Sequence, residues 1–130
     1  MPRVPTKVIK LENIEEVVIG GYTYPEGKRE GFGSLLMGMF KGKELKYIGH
    51  TGSGFEEKEL LKLKEVFDKN MSDKSPFSDA PKMNNVAAWI KPKIVGQIKF
   101  TGWTGEGYMR HAVFLGIRDD KEAKEVIYRQ

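Results

Sequence analysis

The sequence predicts a mainly β fold, a small and strongly curved barrel carrying one helix. Three observations point there: short β-branched and apolar runs separated by glycine-rich turns, glycines inside those runs, and one central stretch with apolar residues at helical spacing. The first strand is read at Glu15 to Tyr22 (EEVVIGGY), continuous enough in Val and Ile to be buried. Tyr24 to Gly31 (YPEGKREG), with a proline, two glycines and four charges, is a loop. Phe32 to Phe40 (FGSLLMGMF) is the second strand, Gly42 its turn, and Leu45 to Thr51 (LKYIGHT) the third. Gly33, Gly38 and Gly49 would weaken a flat sheet but suit the bends of a curved one.

Ser53-Gly-Phe-Glu56 has the spacing of a capping box, and Glu56 and Glu57 favour the positive end of a helix dipole. From there to about Asn70, Leu60, Leu63 and Phe67 recur at helical spacing among lysines, the pattern of a helix that plugs a sheet with one face. Met71 to Asn85, polar and holding Pro76 and Pro81, reads as an irregular surface loop. Two strands are expected around Trp89–Ile90 and Ile94–Phe100, a turn at Thr104 to Gly107, a last strand at Ala112 to Ile117, and then a charged tail. Phe32, Phe40, Phe67, Phe100 and Phe114 are the expected core aromatics. Five or six strands with one helix between strands 3 and 4 match an OB-fold, the five-stranded Greek-key barrel whose face and loops bind oligonucleotides.

Composition excludes several classes of function. The chain has 130 residues, enough for one domain with a real core, and no cysteine, so neither disulfides nor thiolate chemistry is available. His50 and His111 stand 61 positions apart and no metal site is expected. No apolar run is long enough to cross a bilayer, and Met1 to Lys10 lacks a secretory h-region, so a cytosolic protein that does not use the membrane is expected. The net charge is only +4, yet its distribution is uneven: residues 1–81 carry 13 basic and 13 acidic side chains and residues 111–130 four of each. Residues 82–110 hold Lys82, Lys91, Lys93, Lys99 and Arg110 against Glu106 alone. That excess reads either as a local phosphate-binding face or as a solvated surface.

Eight blocks in order carry a resemblance: Glu16-Val-Val-Ile-Gly-Gly-Tyr-Thr23, Gly31-Phe-Gly-Ser-Leu-Leu36, Tyr47-Ile-Gly-His-Thr-Gly-Ser-Gly-Phe55, Ser75-Pro-Phe77, Trp89-Ile-Lys-Pro92, Phe100-Thr-Gly-Trp-Thr104, Arg110-His111 and Phe114-Leu-Gly-Ile-Arg-Asp-Asp-Lys121. With their spacing, over about residues 10–126, they resemble the C-terminal domain of ATP-dependent DNA ligases, above all the ligase modules of bacterial and archaeal end-joining ligases. The resemblance implies an OB-fold domain over residues 15–130, preceded at 1–14 by the remnant of a K-x-K motif and linker from a catalytic domain. Arg118-Asp-Asp-Lys121 matches the family's closing R-x-D-K signature. It implies that Arg118 and Lys121 orient the pyrophosphate leaving group and offset its charge during enzyme adenylylation, with Asp120 holding either cation. Lys10 falls on the second lysine of K-x-K, a nucleotide phosphate contact, but Val8 stands in the first lysine's place with Lys7 one step off register. Ala112 replaces a usual proline, and Gln97 and Gly102 stand where glutamate is frequent.

The cofactor implied is ATP with Mg2+ in the complete enzyme, none being bound by this domain alone. The partners implied are nicked duplex DNA and a nucleotidyltransferase domain in cis or in trans. A monomer in the prokaryotic cytoplasm, at the nucleoid, is expected. Lys28 and Arg29, in the loop after the first strand, and Lys91, Lys93, Lys99 and Arg110 are the candidate DNA contacts. Lys28 and Arg29 could equally be bystanders, Trp89 and Trp103 either stack on bases or close the barrel, and Arg110-His111 reads as a structural or phosphate contact. The catalytic K-x-D-G motif occurs nowhere in the sequence, so this polypeptide is expected neither to take up AMP nor to ligate. A free-standing OB module for single strands, marked by exposed aromatics on the basic face, is the alternative from another class. The OB domain of an RNA-capping or RNA-ligase enzyme is a third reading, disfavoured by the GFGSLL and FTGWT blocks.

Overall fold

The computed structural model describes residues 13–128. Three antiparallel strands open the fold: β1 (Asn13–Thr23), β2 (Leu35–Lys41) and β3 (Glu44–Thr51). Helix α1 (Glu57–Asp68) follows, then β4 (Met71–Ser72), β5 (Val86–Phe100), a ribbon of β6 (Gly102–Trp103) and β7 (Met109–Arg110), and β8 (Val113–Arg118). The sheet runs β3-β2-β1-β5-β4, with β8 on the free part of β5. The five long strands cover the runs the sequence predicts, β5 joining two of them, and β5 returns to β1 rather than to β3, as a Greek key requires. The gap between β3 and β8 is bridged by two bonds: the Thr51 hydroxyl donates to the Ala112 carbonyl at 2.7 Å and the Phe114 amide to the Ser53 carbonyl at 2.9 Å.

Helix α1 plugs one end. Leu60 and Phe67 are buried, and Phe67 meets Tyr22 and Phe32 in a cluster of rings 5.7–6.2 Å apart. The Tyr22 hydroxyl donates to Asp68 at 2.6 Å and ties the last turn of the helix to β1. Ser53 is not the cap. Glu56 is, in a capping box with Glu59, because Gly54 at φ +97° cannot be the first residue of a helix, which starts only at Glu57.

Four other expectations are corrected. The second strand begins at Leu35, and Phe32 lies before it, fully buried beneath α1. The two strands expected around Trp89 and Ile94 are one 15-residue strand, β5. Its register on β1 passes from Ile19↔Ile94 to Gly21↔Trp89, so Ile90 to Lys93 bulge opposite Gly20. Pro92 sits inside that bulge, where its missing N–H breaks no rung. The 71–85 segment is not merely a surface loop. Met71 and Ser72 pair with β5, and Phe77, only 8% exposed, lies over β1 and β2 where Gly20 and Gly38 leave it room. A Cβ at Gly20 would overlap the Phe77 ring. Finally, the charged tail docks: Val126 is buried, its carbonyl accepts the Phe40 amide at 2.8 Å, and the Tyr128 amide donates back to Phe40 at 2.8 Å. Trp89 packs on Phe77, and Trp103 on Phe100 and Tyr128, so both tryptophans serve the barrel's packing. No helix among the described residues is long and apolar enough to cross a membrane.

Candidate functional site

Three neighbouring strands assemble the charged turn at the end of β8. Arg118 pairs with Val95 on β5, and β5 places Gln97 opposite Glu16 on β1. Across this width the Arg118 Nη1 donates to Glu16 Oε2 at 3.1 Å, and the Lys121 Nζ donates to Glu16 Oε1 at 3.2 Å. Arg118 Nε and Nη2 donate to the two oxygens of Asp120 at 2.9 and 3.0 Å, a bidentate pair. These hydrogen bonds from Arg118 hold the Asp120 carboxyl below its usual range, and Asp120 in turn pushes the guanidinium up. Two cations and two carboxylates sum to zero charge. Of the five N–H groups of an arginine and three of a lysine, these contacts leave two on each free. Arg118 and Lys121 stay about one-third exposed, so an incoming anion can reach donors that are already ordered. Sequence reasoning brings together Arg118, Asp120 and Lys121 but misses Glu16, which lies 102 positions from Arg118 and has no local signal.

The candidate DNA contacts do not form one patch. Lys91 and Lys93 are exposed on either side of Pro92 at the bulge of β5. Lys99 is partly buried near the other end of that strand, opposite Ile14 and Val113. By the register on β1, Lys91 stands opposite Gly20 and Lys99 opposite Ile14, six positions or roughly 20 Å apart. Arg110 is exposed on β7, and Lys28 is exposed in the β1–β2 loop. Arg29 beside it is partly buried: it donates to the Gly52 carbonyl at 3.0 Å and lies 5.6 Å over the Phe55 ring. Its Nε and Nη2 are enclosed without a partner, so its first task is to fasten this loop to the β3–α1 connection. Lys10 lies outside the described residues.

A cleft of about 600 Å³ opens between the end of β3, residues 81–83 and the β6–β7 ribbon, lined among others by Tyr47, His50, Met83, Tyr108 and His111. His111 has φ +55°, the one non-glycine positive φ among the described residues. That left-handed backbone costs roughly 1–2 kcal/mol and persists only where the surroundings impose it. They do so here. The Arg110 carbonyl accepts both the amide and the hydroxyl of Thr101, and the Ala112 carbonyl accepts Thr51.

Residues 28–121 match the ATP dependent DNA ligase C terminal region. The chain belongs to this ligase family. As a ligase C-terminal region it is 37% identical over 122 residues to the multifunctional non-homologous end joining protein LigD of Mycolicibacterium smegmatis, covering 92% of this chain and 16% of that protein. It superposes on the crystal structure of the ligase domain of M. tuberculosis LigD with a TM-score of 0.83 at 38% identity, covering 93% of this chain and 40% of that domain. Against a mycobacterial DNA ligase D complexed with ATP and MES the TM-score is 0.79 at 35% identity, covering 90% of this chain and 38% of that one. The ligase C-terminal region thus spans about a sixth of the length of the LigD protein it matches. The fold is the OB domain the sequence predicts.

Proposed function

We propose that this ligase C-terminal region works with a nucleotidyltransferase domain, in cis or in trans, in sealing nicked duplex DNA, and that its Arg118–Lys121 turn serves the adenylylation step. The observation that carries the proposal is the ordered turn itself. Arg118 and Lys121 stand side by side through Glu16, partly exposed, with free N–H donors. That donor set fits phosphate oxygens. ATP held by the catalytic domain would supply the adenylyl group. Arg118 would grip the departing pyrophosphate, Lys121 would add a point charge, and Asp120 would keep the guanidinium aimed. Lys10, in the segment of residues 1–14 that would join the two domains, would touch the nucleotide phosphate. Mg2+ would arrive with ATP; no group of three or more His, Asp or Glu side chains that could hold a metal occurs among the described residues. Lys28, Lys91, Lys93, Lys99 and Arg110, with Arg29 fixing the loop, would meet phosphates of the duplex. A prokaryotic cytoplasm would house the complete enzyme, the domain acting as a monomer.

The free-standing single-strand module draws little support, because Tyr24 is the one large exposed aromatic among the described residues and the tryptophans are engaged in packing. The test is Arg118→Ala in the chain joined to its catalytic domain. Adenylylation by ATP should fall on the order of 10²–10³-fold. Sealing of a nick already carrying 5′-AMP should fall far less, and Lys121→Ala should follow the same pattern more mildly. Equal loss of both steps, or loss of sealing alone, would make Arg118 a DNA contact instead.

A further inference from the structure

We propose that the cleft beneath the β6–β7 ribbon receives one unpaired nucleotide of a DNA strand, its base inside and its phosphate at a rim formed by Lys82 and Arg110. This rests on the reading that the domain binds DNA, and adds a site to it. At about 600 Å³ the cleft lies in the size range of small-ligand sites and accommodates a mononucleotide. Among its lining residues are Tyr108, His50, His111 and Met83, whose rings and thioether are of the kinds that bases pack against. No carboxylate lines it. Lys82, between the lining residues Pro81 and Met83, and Arg110, between Met109 and His111, are exposed and form no ion pair among the described residues. Two of the five cations of residues 82–110 thus adjoin lining residues of the cleft along the chain.

His111 supplies a second, independent observation. Its backbone is held in the left-handed region by bonds on both flanking carbonyls, and its ring makes no hydrogen bond among the described residues. The fold thus bears a strained position to present a ring that it does not itself use. The occupant must be unpaired. A base inside a duplex is stacked above and below and cannot enter a pocket one nucleotide wide unless it leaves the stack.

The test uses the whole 130-residue chain and two duplexes alike except for one unpaired terminal nucleotide, a 2-aminopurine, followed by anisotropy and by the fluorescence of that base. The duplex with the unpaired nucleotide should bind about fivefold or more tightly, with a change in 2-aminopurine emission. His111→Gly keeps the backbone geometry while removing the ring. It should bring this affinity down to that of the blunt duplex and leave blunt-duplex binding as it was. His111→Asn, which also tolerates a left-handed backbone, serves as a second variant should the glycine loosen the ribbon, and should act alike. Equal binding of both duplexes by the unsubstituted chain, or equal weakening of both by His111→Gly, would overturn the inference while leaving the duplex reading in place. Failure to bind either duplex at low salt would overturn the duplex reading as well.

Discussion

Glu16 sits between two cations that it does not neutralise one at a time: each carboxylate oxygen takes one of them. A phosphate approaching Arg118 and Lys121 must compete with this carboxylate. Glu16→Gln should therefore raise the affinity of the chain for inorganic tripolyphosphate severalfold, read by calorimetry. Its cost to stability should be small, because exposed or half-exposed pairs contribute about 0–1 kcal/mol. Unchanged affinity would show that Glu16 places no restraint on the cations. A second residue gives a pH signature. Burial chiefly, with Tyr108 adding to it, pushes the Tyr47 hydroxyl up to about 12. The folded state favours the neutral phenol, so this contribution is complete below the ordinary tyrosine value near 10 and is lost as pH rises toward 12. Urea melts between pH 9 and 12 should show a loss on the order of 2–3 kcal/mol that Tyr47→Phe removes. An identical pH slope in that variant would assign the loss to other groups.

Among the elements, the seat of Phe77 decides how β1 and β2 carry the 71–85 segment. Because a methyl at Gly20 would overlap the Phe77 ring, Gly20→Ala should destabilise by about 1–3 kcal/mol in chemical denaturation. The double variant with Phe77→Leu should recover part of that loss. Additive losses would mean that the two do not share the space. Helix α1 is held by Phe67 rather than by its exposed face, so Phe67→Ala should cost about 3–5 kcal/mol. These elements also mark what the sequence disclosed. Runs such as VVIGGY and LLMGMF, and the Leu60/Leu63/Phe67 spacing, announce their strands and helix because burial repeats at the period of the element. Phe77 was hidden because one apolar residue among Ser, Pro and Asp has no period at all. The break expected between Trp89–Ile90 and Ile94–Phe100 is a bulge within one strand, because a lone sequence does not show that Ile90 to Lys93 stand opposite a single residue of β1.

At the scale of the whole molecule, the site was legible in part. The R-x-D-K turn is contiguous in sequence and so could be read, whereas Glu16 and the clamp on His111 exist only because distant strands meet. The cations along β5 are spread out, so each should act on DNA nearly independently. Lys91→Ala and Lys93→Ala should each flatten the salt dependence of duplex binding by about 0.9 in log–log slope, measured by titration from low to physiological salt. A much larger, shared loss would indicate one concerted patch.

The Arg118–Lys121 turn is fastened on both sides: β8 holds Arg118 to Val95, and beyond the turn Val126 and Tyr128 bond to Phe40 on β2. Such a segment has surrendered its backbone freedom at folding and has little left to lose on meeting an anion. Its encounter with phosphate should therefore carry a small entropic penalty. The turn also has no slack of its own, so any approach of Arg118 to a nucleotide on another domain must carry the entire barrel with it. The pace of that approach would then be set by rigid-body reorientation, on the microsecond-to-millisecond scale of domain motions, and not by the flicker of a loop.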